Sequence, residues 1–220
     1  MRKTSMNAWL RPAHEPSKRC VRIMIPVLLA ISAAFIYCAP LLMPEDYSWI
    51  SHVISESAAQ NLPGAWVARS GFIVFGFAVL WLAVAHRSTW VKGAYICHMA
   101  FGIFMISTAA FSHKPWLEGV PYDAFEDLLH SFTATAMGFA FSFGVLLRLL
   151  QRQKHETNKK YFDMLALIVA TVIPLLGWHW PSLSGLVQRI LFAVAYLWYV
   201  NEALTLDKSS SPKKPQEPIA

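Results

Sequence analysis

The chain has few of the residues from which soluble enzymes are built. Charged residues occupy only 15% of its 220 positions. Its three cysteines, Cys20, Cys38 and Cys97, are too few and too widely spaced for a disulfide framework or a thiolate metal site. No His-x-x-x-His or His-Glu-x-x-His pair, Walker loop, glycine-rich dinucleotide fingerprint or Gly-x-Ser-x-Gly elbow occurs. These absences argue against an ATP-driven pump, a zinc hydrolase and a serine hydrolase of the α/β kind, and no cofactor or metal is expected. The apolar stretches also lack the polar stripe at a 3.6-residue period that marks a soluble helical fold.

What the chain has in abundance is apolar length. Hydrophobic residues make up 55% and the mean hydropathy is +0.40, which is membrane composition. Apolar windows fall at 23–43, 67–85, 94–111, 128–147, 162–178 and 186–206. Each is close to the ~17–25 residues a bilayer core demands of a helix. The expected fold is therefore all-α, a polytopic transmembrane bundle of six helices. The fifth window is the shortest and begins beside Asp163. The first exceeds the ~7–15 apolar residues of a signal peptide and is expected to be retained.

Lys and Arg near helix ends stay on the cytoplasmic side. With the N-terminus inside, 16 of the 19 cations, among them Arg148, Arg152 and Lys154, fall on that side. Only Arg69, Lys114 and Arg189 fall on the other. Both termini are then cytoplasmic, and the formal charge of +6 is an orientation signal with no nucleic-acid partner behind it. The domain reading is a basic cytoplasmic arm at 1–22, a six-helix domain at 23–206 and a disordered cytoplasmic tail at 207–220.

Polar side chains gather on the outer side. Tyr47-Ser-Trp-Ile-Ser-His-Val-Ile-Ser-Glu56 follows directly on the first apolar run and offers hydroxyls, an imidazole and a carboxylate. Ser51 and Ser55 flank His52, which has the residue types of a nucleophile and base; a loop clamp, with Glu56 pairing Arg69 or Arg189, is equally economical. Asp123, Asp127 and His130 are spaced to share one face of a helix starting near Pro121. They suit proton transfer, the binding of a divalent cation, or an acidic first turn that favours the helix N-terminus, the last being the preferred reading. Arg189 lies about one turn inside the sixth window beside Gln188. An unpaired guanidinium there is costly, so it is expected to snorkel to lipid phosphates or pair with Glu56 or Asp127. Glu202, near the inner end of the same window, reads as an interfacial charge close to Lys208, and His98 as a hydrogen-bonded bundle residue. Trp49, Trp66, Trp116, Trp178 and Trp180 read as an interfacial girdle.

Several short motifs carry a resemblance along residues 23–206. Tyr47-Ser with Ile54-Ser-Glu56, Trp66-Val-Ala-Arg69-Ser-Gly-Phe-Ile-Val-Phe-Gly76, Leu129-His130, and Gln188-Arg189 with Trp198 occur in order. In these the chain resembles the prokaryotic membrane family named Domain of Unknown Function 998. The chain departs from the family's usual pattern at Ser57-Ala58 and at Phe111-Ser-His113-Lys. The resemblance implies a six-helix integral protein of a prokaryotic cytoplasmic membrane and supplies no agreed activity. The site candidates are thus Tyr47, Ser51, Ser55, Glu56, Arg69, Asp127, His130, Gln188 and Arg189. The leading expectation is binding, transport or sensing of a small polar or lipid-headgroup ligand. An intramembrane hydrolase using Ser55, Glu56, Asp127 and His130 is the second, and a structural or partner-binding membrane protein the third. Beyond the lipid bilayer, the expected partner is a lipid headgroup or small polar ligand and not nucleic acid, and protein partners are left open. Glu56 and Arg189 are expected to pair across the outer mouth.

Overall fold

The computed structural model describes residues 18–206. Most of the basic arm and the whole 207–220 tail, including Lys208, lie outside them. Six α-helices follow the six apolar windows: α1 (Lys18–Cys38), α2 (Ala65–Ala85), α3 (Lys92–Ala110), α4 (Ala124–Gln151), α5 (Thr157–His179) and α6 (Ser184–Leu204). No strand occurs among the described residues. All six are long and apolar enough to cross a bilayer, so this is a multi-pass membrane protein.

The helix ends follow from local chemistry. Pro40 cannot donate into an α-helical ladder, and α1 passes into a 3-10 turn at Ala39–Leu42. Asp123 caps α4, its Oδ1 accepting from the backbone N–H groups of Phe125 (2.8 Å) and Glu126 (3.2 Å). Glu126 and Asp127 then occupy the first turn, where the helix dipole favours acids. This cap and the side chains gathered at its far end make α4 about a turn longer at both ends than its apolar window.

Consecutive helices pack side by side, and α1 also packs against α6, so the bundle closes into a ring. Where α2 crosses α3, Gly76 and Gly102 let the backbones touch. A Cβ on Gly76 would lie 2.7 Å from the Gly102 carbonyl oxygen, and one on Gly102 would lie 2.9 Å from that of Gly76. The core is aromatic: Phe75 of α2 stacks on Tyr196 of α6 with centroids 4.2 Å apart and meets Phe101 of α3 edge-on at 5.5 Å. Ser32 of α1 donates to the Gly71 carbonyl (2.7 Å) and shares a hydrogen bond with the Tyr196 hydroxyl (2.7 Å), joining three helices. Helix α5 is the loosest member, with only Asp163, Ala166 and Gly177 buried. The α1–α2, α3–α4 and α5–α6 connections share one end of the bundle, here the long-loop end; the α2–α3 and α4–α5 connections form the opposite end.

Candidate functional site

Residues 47–60 form an irregular segment laid over the long-loop end, and such backbone at the edge of a membrane needs partners for its polar groups. Arg189 supplies several. It is 5% exposed. Its Nη1 donates to the carbonyls of Trp49 (2.8 Å), His52 (2.9 Å) and Gly185 (2.9 Å), and its Nη2 donates to the Tyr47 hydroxyl (2.8 Å). The guanidinium also lies over the Trp49 ring at 4.5 Å. Burial holds the Tyr47 phenol above its ordinary pKa although Arg189 pulls it down. Gly185 allows the close approach: a Cβ there would collide with the carbonyl oxygens of His52, Ile50 and Trp49.

The expected ion pair between Glu56 and Arg189 does not form. Carbonyl dipoles and one hydroxyl satisfy the guanidinium, while Glu56 Oε2 accepts from the Val53 N–H (2.6 Å) at the start of the 3-10 turn Ile54–Ala58. Arg69 follows the same logic, with Nε donating to the Ala58 carbonyl and Nη2 to that of Ala59, both at 3.0 Å. Gln188 Oε1 takes the Ile54 N–H. Ser51 stays within the loop, its N–H donating to Ser48 Oγ (3.3 Å).

A second group gathers where the α3–α4 loop meets α4. Asp127 Oδ1 accepts from the Lys114 N–H (2.8 Å), Glu126 Oε1 accepts from the Ser112 N–H (2.6 Å), and His130 Nδ1 donates to the Phe111 carbonyl (2.7 Å). Asp127 and His130 therefore share a corner, but each holds loop backbone. Trp116 ties this loop to the first, its ring 5.2 Å from Tyr47 and 5.0 Å from His52. Gln60 ties them again, donating to the carbonyls of Ser112 and Asp123 and accepting from the Asp123 N–H (2.7 Å). Ser55, Glu56, Asp127 and His130 thus belong to separate bonding sets. No imidazole or carboxylate hydrogen-bonds the Ser55 hydroxyl among the described residues.

Beneath this cover lies a cleft of about 860 Å³, open sideways between α4 and α5 and walled by side chains of α2, α3, α4, α5 and α6. Its walls are mostly Phe, Leu, Val, Ala and Met. At its long-loop end stand Ser55 and Gln188. Ser55 is 6% exposed, and its hydroxyl has no hydrogen-bond partner among the described residues.

The opposite end holds a buried ionic network. Arg152 of the α4–α5 connection grips Asp163 of α5 through Nε (2.8 Å) and Nη2 (3.2 Å), and also donates to Glu202 Oε1 of α6. Arg148 donates to Glu202 Oε2 through Nε (3.2 Å) and Nη2 (3.0 Å). Indole N–H groups complete it, Trp198 on Asp163 (2.8 Å) and Trp90 on Glu202 (3.2 Å). Asp163 and Glu202 are 0% exposed. His86 at the end of α2 stacks on Trp90 at 4.5 Å, and burial lowers its pKa to about 4, keeping the ring neutral at ordinary pH. Glu202 is therefore no interfacial charge: two arginines hold it inside the bundle. The signal that would have revealed this is an acid within an apolar span, which needs a cation nearby.

Among the described residues, no three His, Cys, Asp or Glu side chains come together as a metal site. The sequence profile of the family described as "Protein of unknown function (DUF998)" matches residues 25–205. No curated protein and no solved structure matches the chain.

Proposed function

Because the chain belongs to the DUF998 family, a description that assigns no activity, its function rests on geometry, and we propose that it binds the hydrophobic chain of a membrane amphiphile in the cleft between α4, α5 and α6. The observation that carries this reading is the cleft itself. Its volume of about 860 Å³ is that of a ligand pocket, and its walls are apolar where a lipid would enter sideways. Along α4 its lining runs from Ala134 to Leu146, about 18 Å at the helical rise per residue, close to half of a ~30 Å hydrocarbon core. One leaflet's chain fits that length.

The same geometry favours a lipid chain over a small polar solute. The charged side chains at the long-loop end, Arg189 and Asp127 among them, are occupied by loop backbone, and the ionic network at the opposite end is closed on itself. A polar path toward the midplane, which a transporter of solutes needs, has no support in the apolar walls. In the membrane the long-loop end faces outward by the cation asymmetry. Single cysteines at the exposed positions Glu118 and Lys154, in a cysteine-free background, are expected to react with an impermeant thiol reagent from outside and only after permeabilisation, respectively. Labelling of both from one side would overturn the orientation.

Gly138 provides the test of the cleft. It lines the opening, and a Cβ built there meets no heavy atom within 4 Å, so a large side chain can be added without disturbing the helix packing. Gly138→Trp is expected to keep the wild-type melting temperature in detergent and to lose lipid that co-purifies with the wild type, read by mass spectrometry of the intact protein. Unchanged lipid retention in that variant would remove the cleft as the site.

A further inference from the structure

Two hydrogen-bonding groups face the cleft at its long-loop end, and their surroundings define what they can bind. The amide of Gln188 is oriented by Ile54: a backbone N–H can only donate, so the side-chain oxygen must face it and the NH₂ group is left over. No partner of that NH₂ occurs among the described residues. One residue further on, Ser55 lines the cleft and its hydroxyl is equally without a partner. The neighbouring Ser57 hydroxyl, by contrast, donates to the Ile54 carbonyl (2.7 Å). One serine of this turn is satisfied within the turn, and the other lines the cleft.

From this pair we infer a head-recognition subsite in which Ser55 and Gln188 donate to a neutral oxygen acceptor, the carbonyl of an ester-linked acyl chain. The inference rests on the cleft being the site of the chain. Neutral donors suit a carbonyl better than a phosphate, and Arg189, next to Gln188 in the chain, does not line the cleft; its guanidinium is turned to the Trp49, His52 and Gly185 carbonyls. No carboxylate lines the cleft either, so it offers nothing to a cationic head. The polar ends of the donors and the apolar walls below them match an acyl ester: carbonyl at the mouth, chain in the cleft.

The test compares an ester-linked diacyl phosphatidylglycerol with its ether-linked dialkyl analogue of equal chain length, titrated into the purified full-length chain and followed by intact-protein mass spectrometry. The wild type is expected to bind the ester lipid about fivefold more tightly, the worth of roughly one neutral hydrogen bond. Ser55→Ala is expected to reduce that preference, the Gln188 amide remaining as a donor, while leaving the affinity for the ether lipid and the lipid-free melting temperature unchanged, since the hydroxyl has no protein partner to lose. Equal affinities in the wild type, a preference undiminished by Ser55→Ala, or a lower lipid-free melting temperature in that variant would each overturn the subsite. If the two lipids bind alike and Gly138→Trp excludes both, only the ester recognition fails; if Gly138→Trp excludes neither, the cleft reading fails with it.

Discussion

Glu202→Gln is expected to cost about 3–5 kcal/mol of stability, because it leaves the guanidinium groups of Arg148 and Arg152 buried with one carboxylate between them. The amide keeps the shape of the side chain, so the loss isolates charge from packing. Adding Arg148→Gln removes the orphaned cation, and the double variant is expected to be more stable than Glu202→Gln alone. Thermal unfolding in detergent, or steric trapping in bicelles, measures both. A single-variant loss below about 1 kcal/mol, the worth of an exposed pair, would mean that water reaches the network.

The second large effect is at the other end. Arg189→Gln is expected to lower stability by about 3 kcal/mol, since it strips donors from the carbonyls of Trp49 and His52 in a segment with few alternatives. Arg189→Lys should recover little of this, because a compact ammonium cannot reproduce the planar fork that reaches three carbonyls and the Tyr47 hydroxyl. Arg189 and Glu56 hold the two sides of one peptide, the His52 carbonyl and the Val53 N–H, so combining Arg189→Gln with Glu56→Gln is expected to show only a modest coupling, below about 1 kcal/mol, carried by that peptide. Non-additivity above about 1 kcal/mol in that double-mutant cycle would restore a direct coupling between the two charges.

The six spans were legible because each apolar run is a local property of the chain, and the windows differ from the helices mainly where polar or charged residues continue α1, α4 and α5 beyond the apolar run. Asp123 shows the limit of that legibility: an N-cap aspartate was readable as the start of a helix, but what Asp127 and His130 bind depended on where the α3–α4 loop folds back. Hydropathy marks Arg148 and Arg152 as loop cations and Glu202 as an end charge, because a window average cannot tell a charge facing water from one facing its counter-ion across a helix interface. The partners are separated by 50 or 54 residues in the chain, a pairing that only the packing of α4, α5 and α6 decides. The cleft was invisible for the same reason. Apolar residues that line a cavity and apolar residues that face lipid are the same residues in sequence, and of the polar lining only Ser55 and Gln188 were among the candidates.

Closure of the ring by α1 and α6 sets an order of assembly. The carbonyls of Trp49 and His52 find their donor only when Arg189 has been synthesised, and Ile50 accepts from the N–H of Leu186. At ~5–20 residues per second the first loop waits about ten seconds for the last helix. During that interval helices α1 to α5 can already be in the bilayer with the segment that covers them unseated, its backbone served only by water and headgroups. A ribosome that stalls before α6 would therefore release a chain with five inserted helices, an uncovered cleft and no donor for its first loop, the kind of unfinished surface that membrane quality control recognises.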